Sequence, residues 1–93
     1  MQITLVVSGI AAAIIGSKEI VLSLPEGVTY NQIVRQLGET YPALKGVVIN
    51  PEGSALLNAN VLIVNDYVIL ESMLNGSPQD GDRLMLMAFI VGG

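Results

Sequence analysis

The sequence predicts an α+β fold in which one sheet of four to five strands carries one main helix on one of its faces. Three observations predict this fold. Several short segments alternate apolar and polar residues, one segment has a capped amphipathic helical pattern, and the last apolar segment is nonpolar on both of its faces. The 93 residues suffice for a single domain, 1–93, with one hydrophobic core.

The first two strands are predicted at residues 2–8 (QITLVVS) and 18–24 (KEIVLSL), where apolar residues recur at every second position. Between them lies GIAAAIIGS, residues 9–17, which contains Gly9 and Gly16, so we expect a hairpin with a long apolar loop. No basic residue precedes the apolar part of this N-terminal region, and polar residues interrupt it. An ordinary first strand is therefore favoured over a signal peptide or membrane anchor.

The helix is predicted to begin at Thr29, because Thr29 and Gln32 have the spacing of a capping box. Pro42 ends it, since proline disfavours the helical conformation of the residue before it. The apolar stripe of this helix consists of Tyr30, Ile33, Val34, Leu37 and Tyr41.

Residues 43–59 have the least regular pattern, with a short strand at 46–49 (GVVI) and a type I turn at 50–53 (NPEG) as the expectation. Residues 60–70 (NVLIVNDYVIL) predict a second hairpin. Asn65 and Asp66 form its tight turn, because both residue types tolerate a left-handed backbone. Tyr67, just after the turn, is expected to be half-buried across the hairpin.

The last strand, RLMLMAFIV at residues 83–91, follows a turn at 77–82 in which the carboxylates of Asp80 and Asp82 belong to the turn rather than to a calcium loop. It should lie in the middle of the sheet, because both of its faces are apolar. Met85, Met87 and Phe89 share one of these faces. Core packing beneath residues 9–17 or 43–59 is the commoner role for such side chains, and docking of a partner on an uncovered face is the alternative.

Composition excludes several kinds of function. The chain has no histidine and no cysteine, which removes the commonest general base, the thiolate nucleophile and the usual ligands of zinc and iron. We therefore expect neither an autonomous enzyme nor a metal site. The net charge of −4, with four basic residues, disfavours nucleic-acid binding, and the apolar fraction of 52% favours a protein partner.

Three segments resemble the MoaD/ThiS family of sulfur carriers, which have the ubiquitin-like β-grasp fold with a mixed sheet. LPEGVTYNQIVRQLGETYP is similar to the helix entry of that family, VLIVND to its hairpin, and DGDRLMLMAFIVGG to its ending, in which an apolar strand leads into Gly92 and Gly93. Length and the inserted middle segment are most similar to the small subunit of molybdopterin synthase. The segment just before Gly92 lacks the prolines common in that subunit.

The resemblance implies a cytoplasmic carrier protein that is not itself a catalyst, with a flexible tail at about 91–93. In this family a partner adenylyltransferase, similar to ubiquitin-activating enzymes, uses ATP to convert the terminal carboxylate to an acyl-adenylate, and sulfur then displaces AMP to leave a thiocarboxylate. By analogy the reacting group is the carboxylate of Gly93, and Gly92 and Val91 thread the partner's channel. No cofactor is bound by the carrier.

The recipient of the sulfur stays open at this point. The large subunit of molybdopterin synthase is one partner that the resemblance implies, and a thiazole synthase of the thiamine pathway is the other. A ubiquitin-like modifier that forms an isopeptide bond to lysine, and a β-grasp interaction module that does not react, are alternatives from other functional classes.

Overall fold

A computed structural model describes residues 1–57 and 59–88. Its elements follow one another in the order strand, helix, strand, helix, strand, strand, strand. They are β1 (Gln2–Val7), α1 (Gly9–Ile15), β2 (Glu19–Ser23), α2 (Tyr30–Thr40), β3 (Asn60–Val64), β4 (Tyr67–Val68) and β5 (Arg83–Ala88). Single turns of 3-10 helix lie at Pro42–Leu44 and Glu71–Met73.

The five strands form one mixed sheet in the order β2-β1-β5-β3-β4. β5 is the central strand, as its apolar character on both faces predicted. It runs parallel to β1 and antiparallel to β3, whereas β1–β2 and β3–β4 are antiparallel pairs. The predicted α+β class, the mixed sheet and its strand number are confirmed.

The core lies on one face of this sheet, beneath α2. Alternate residues of β1 (Ile3, Leu5 and Val7) and of β5 (Leu84 and Leu86) enter it, because side chains alternate between the two faces of a strand. The largest fully buried side chains of the core are Ile3, Leu5, Ile33, Leu37, Leu44, Ile49, Leu62, Leu84 and Leu86.

The predicted capping box at the start of α2 is present. The backbone N–H of Gln32 donates to the Thr29 hydroxyl at 3.1 Å, and the Gln32 side chain accepts from the backbone N–H of Thr29 at 2.9 Å. The apolar stripe faces the sheet, with Tyr41 only partly buried after the last helical residue, Thr40. The helix therefore begins and ends where its sequence predicts.

The predicted loop at residues 9–17 was wrong, because α1 occupies most of it. Alanine has the highest helix propensity of any residue type, and α1 contains Ala11, Ala12 and Ala13. Gly16 ends the helix in a left-handed conformation at φ 84°, and its N–H donates to the Ala12 oxygen. Ala11 packs into the same core as α2. α1 therefore lies on the face that α2 already covers.

Residues 43–57 also differ from expectation. The predicted strand at 46–49 is absent from the described residues, and Ile49 instead makes isolated bridges to Lys45 and Leu56. Val48 and Ile49 are buried in the common core, so tertiary burial rather than strand pairing holds this segment. The turn at 50–53 is confirmed by a bond of 2.9 Å from the Gly53 N–H to the Asn50 oxygen. This segment leaves the opposite face of the sheet uncovered as well.

The second hairpin forms as predicted, with Asn65 and Asp66 both in the left-handed region at φ 50° and 68°. The predicted half-burial of Tyr67 was wrong, since its side chain is 72% exposed. β4 has only two residues and lies at the edge of the sheet, so Tyr67 has a neighbouring strand on one side only. Within the described residues, no helix is both long enough and apolar enough to cross a membrane.

Candidate functional site

The face of the sheet opposite α2 carries an apolar patch that no other part of residues 1–57 and 59–88 covers. We use the name apolar patch for five side chains on three neighbouring strands. These residues are Val6, Val61, Ile63, Met85 and Met87. The pairing register places them side by side, because residues directly opposite each other in neighbouring strands point to the same face.

Strand alternation creates this patch from residues adjacent to the core. On β5, Leu84 and Leu86 are buried beneath α2, whereas Met85 and Met87 point the other way and are each 38% exposed. The commoner interpretation of the two methionines as core residues was therefore wrong. They lie on an uncovered face because α1 and residues 43–57 both pack on the side of α2.

A pair of opposite charges borders the apolar patch. Arg83 on β5 and Glu19 on β2 reach over β1 and form an ion pair with 3.0 Å between Nη2 and Oε2. Both side chains are more than half exposed, so the pair contributes little to stability and remains available to a partner. The sequence pattern did not indicate this pair, because its members are 64 positions apart along the chain.

The turn before β5 is held by its own carboxylates. Asp80 accepts from the backbone N–H of Gln2 at 2.7 Å, and Asp82 accepts from that of Gln79 at 2.9 Å. Gly81 adopts φ 85° and donates its N–H to the Gln2 oxygen at 2.7 Å. These bonds confirm the interpretation of the two aspartates as turn residues, and they fix where β5 starts beside β1.

β5 leads from this turn, along the apolar patch, toward the C-terminal segment. Its last described residue, Ala88, pairs with Asn60 of β3. The predicted site residues Phe89, Val91, Gly92 and Gly93, and the predicted flexible tail at 91–93, lie outside the described residues. The structure thus brings Met85 and Met87 together on one face and leaves the other predicted site residues untested.

Three members of the apolar patch were missed in the sequence. Val6, Val61 and Ile63 belong to it because their strands pair with β5 on either side. The alternation of apolar residues along β1 and β3 indicated that these side chains share one face of their own strands. The sequence did not indicate the strand order that brings the three strands together.

The central strand β5 has a parallel neighbour on one side and an antiparallel neighbour on the other, and α2 packs across one face of the sheet. This arrangement defines the ubiquitin-like β-grasp fold. Comparison with solved structures finds the same fold. SAMP1 from Haloferax volcanii has a TM-score of 0.81 at 19% identity, over 100% of both chains. A candidate molybdopterin converting factor, subunit 1, from Pyrococcus furiosus has a TM-score of 0.77 at 15% identity, over 97% of this chain and 99% of that one.

A further match is a chain of the BexX/CysO complex from Amycolatopsis orientalis, with a TM-score of 0.71 at 22% identity, over 98% of this chain and 99% of that one. No family model matches this sequence, and no curated protein matches it significantly. At these identities the matches show the fold. The resemblance seen in the sequence is confirmed as a resemblance of β-grasp architecture along nearly the whole chain.

Proposed function

We propose that this protein is a sulfur carrier whose reacting group is the carboxylate of Gly93. One observation carries the proposal. The central strand that presents the apolar patch is also the strand that leads into residues 89–93, so a partner bound to the patch lies beside the segment on which it acts. The fold, shared with SAMP1 and CysO, supports the same assignment.

The chemistry assigned to Gly93 takes two steps. A carboxylate oxygen attacks the α-phosphorus of ATP on the partner adenylyltransferase, forming the acyl-adenylate and releasing pyrophosphate. Hydrosulfide (HS⁻) then attacks the carbonyl carbon, AMP leaves with the electron pair of the broken C–O bond, and loss of the sulfur-bound proton leaves the thiocarboxylate. Because this chain has neither histidine nor cysteine, its own part is to present the carboxylate, and the partner supplies catalysis.

The apolar patch is the proposed docking surface for the adenylyltransferase. Met85 and Met87 suit this role, because the flexible and polarizable side chain of methionine packs against varied shapes. Phe89, which the sequence predicts on the same face, lies outside the described residues. The net charge of −4 favours a partner surface with basic residues around an apolar centre.

The tail must reach a reacting atom inside the partner. Gly92 and Gly93 have no Cβ and reach backbone conformations closed to other residues, so they can pass a narrow channel. Val91 is the first residue with a side chain before them. Placement matters because a shift of about 1 Å at the reacting carbon costs on the order of a hundredfold in rate.

The direct test is intact-mass spectrometry after incubation with ATP, a matching adenylyltransferase and sulfide. We expect a gain equal to the replacement of one oxygen by sulfur, and deletion of Gly93 should abolish this gain while leaving the unfolding midpoint unchanged. An unchanged mass with every such enzyme would contradict the carrier function. A large loss of stability on deletion would mean that the tail is structural.

Docking is tested separately by Met85→Lys, with Met73→Lys as the matched control. Met73 is also exposed, at 43%, but it lies on the short 3-10 turn at 71–73 rather than in the patch. We expect Met85→Lys to slow adenylation at least tenfold and Met73→Lys to leave it unchanged. Equal effects of the two substitutions would place docking elsewhere.

Molybdopterin synthesis is the proposed destination of the sulfur. The middle segment of this chain and the match to the Pyrococcus furiosus protein support it. The thiocarboxylate form should then convert precursor to molybdopterin when it is mixed with the large synthase subunit. Transfer only to a thiazole synthase would assign the carrier to the thiamine pathway instead.

A modifier role is the second candidate, and a specific observation favours it. Two structures of small archaeal modifier protein 1 of Haloferax volcanii match this chain over 100% and 96% of its length. A modifier uses the same adenylate but ends on a lysine amine, which forms an isopeptide bond. A ladder of conjugates in a cell extract, lost on deletion of Gly93, would support this role, whereas no conjugates together with sulfur transfer would support the carrier.

A further inference from the structure

The strand β2 lies at one edge of the sheet and pairs with a neighbour on one side only. At its two ends, Leu24 donates to the Met1 oxygen at 2.8 Å, and Val7 donates to the Lys18 oxygen at 2.9 Å. Backbone groups alternate in direction along an antiparallel strand. The groups of residues 18, 20, 22 and 24 therefore face β1, and those of residues 19, 21 and 23 face outward.

Part of this outward edge is already satisfied within the chain. The Ser17 hydroxyl donates to the Glu19 oxygen at 2.8 Å and accepts from the Glu19 N–H at 3.3 Å. The N–H and C=O groups of Val21 and Ser23 have no such partner among residues 1–57 and 59–88. An exposed edge with free groups and no proline or bulge is a template for another strand.

We propose that this edge pairs with β2 of a second copy of the chain, antiparallel and related by a two-fold axis, with Leu22 facing its symmetry mate. In this register Val21 exchanges two hydrogen bonds with Ser23 of the second copy, and Ser23 exchanges two with the second copy's Val21. All four free groups are then bonded. A register centred on Val21 would instead require the Glu19 groups that Ser17 already occupies.

The side chains around the axis support the same register. It places Pro25 opposite Glu19 of the second copy, and proline needs no partner there because it has no N–H. Val21 and Ser23, which lie directly opposite each other in this register, are both exposed, so neither side chain obstructs the contact. Leu22 is half-buried on the α2 side, and the two leucines meet where strands approach most closely.

The resulting dimer keeps the apolar patch free. A two-fold axis through an antiparallel strand pair is perpendicular to the sheet, so both copies turn the same face to the same side. β5 stays in the middle of each sheet, with β1 between it and the new contact. The proposal therefore does not depend on the proposed function, and loss of either activity or association leaves the other testable.

Sedimentation velocity over about a hundredfold range of concentration tests the proposal, since a contact of this size should be weak. We expect the mean mass to rise toward that of a dimer. Val21→Pro should raise the dissociation constant at least tenfold, because it removes an outward N–H while leaving the β1 bonds in place, and edge strands tolerate proline. Val21→Thr keeps the N–H and should associate as the unchanged protein does.

A pair of charge substitutions tests the register even if Val21→Pro fails to fold. Val21→Lys and Ser23→Glu each place the new charge opposite an uncharged residue in their own dimers, but an equimolar mixture of the two should associate more strongly than either alone, because position 21 of one copy then faces position 23 of the other with opposite charge. A monomer at every concentration would overturn the proposal. So would a dimer that Val21→Pro leaves intact, or a mixture no stronger than its components.

Discussion

The two faces of β5 differ in what their side chains do, although the residues alternate along one strand. Leu84 is fully buried beneath α2, whereas Met85, the next residue, is 38% exposed on the uncovered face. Both are large and apolar, so hydropathy does not separate them. The difference shows that a strand with two apolar faces can use one face to hold the fold together and leave the other exposed.

The largest expected effect on stability comes from a substitution on the buried face of β5. Leu84→Ala should lower the free energy of unfolding by about 2–5 kcal/mol, because it removes buried methyl groups and leaves a cavity that the core fills only in part. Met85→Ala, the matched control on the other face, should cost less than about 1 kcal/mol, since its side chain already contacts water. Urea denaturation measures both values.

Equal losses of stability from the two substitutions would mean that another surface covers Met85 in solution. In that case the apolar patch would not be free for a partner. The pair of variants therefore tests both the face assignment and the docking proposal that depends on it.

The features that the sequence predicted well depend on contacts between near neighbours. The capping box of Thr29 and Gln32 and the turn at Asn65–Asp66 each need residues at most three positions apart, and both form as expected. Their physical cause is local hydrogen bonding and backbone conformation. Such features can be predicted from a short window of sequence.

The features that were missed depend on the rest of the fold. α1 has apolar residues all round and is held by burial of Ala11 in the core, so no amphipathic period marked it. Alternation along β5 divided its residues into two sets correctly, but which set meets α2 depends on where α1 and residues 43–57 pack. The exposed position of Tyr67 similarly follows from β4 being an edge strand.

A smaller effect on stability is expected from the N-terminal cap of α2, the helix that covers one face of the sheet. Thr29→Ala should destabilise the protein by about 1 kcal/mol, because the Gln32 N–H loses its hydroxyl acceptor at the start of α2. Thr29→Ser keeps the acceptor and should remain within about 0.5 kcal/mol of the unchanged protein. Thermal unfolding followed by circular dichroism measures the difference, and equal behaviour of the two variants would contradict a role for the cap.

On the open face we expect a still smaller effect from the ion pair. Glu19→Gln should cost no more than about 1 kcal/mol, and less at high salt, because Glu19 and Arg83 are both more than half exposed. Glu39→Gln, on the exposed side of α2, is the control for removal of one negative charge. A salt-independent loss above this range would show that the pair is desolvated in solution.

The smallest effect on stability at neutral pH is expected from Tyr30. This residue lies at the start of α2, and its side chain is buried. Burial raises the pKa of its phenol, and the negative charge of Asp82 raises it further. The folded protein therefore keeps the Tyr30 proton at a pH where the unfolded chain, with an ordinary tyrosine pKa near 10, releases it. Stability should fall as pH rises above about 10, and Tyr30→Phe should remove that part of the fall.

The measurement is the difference in unfolding free energy between the two proteins from neutral to alkaline pH, which cancels the titration of the lysines and the other tyrosines. A difference that stays constant with pH would contradict burial of the Tyr30 hydroxyl.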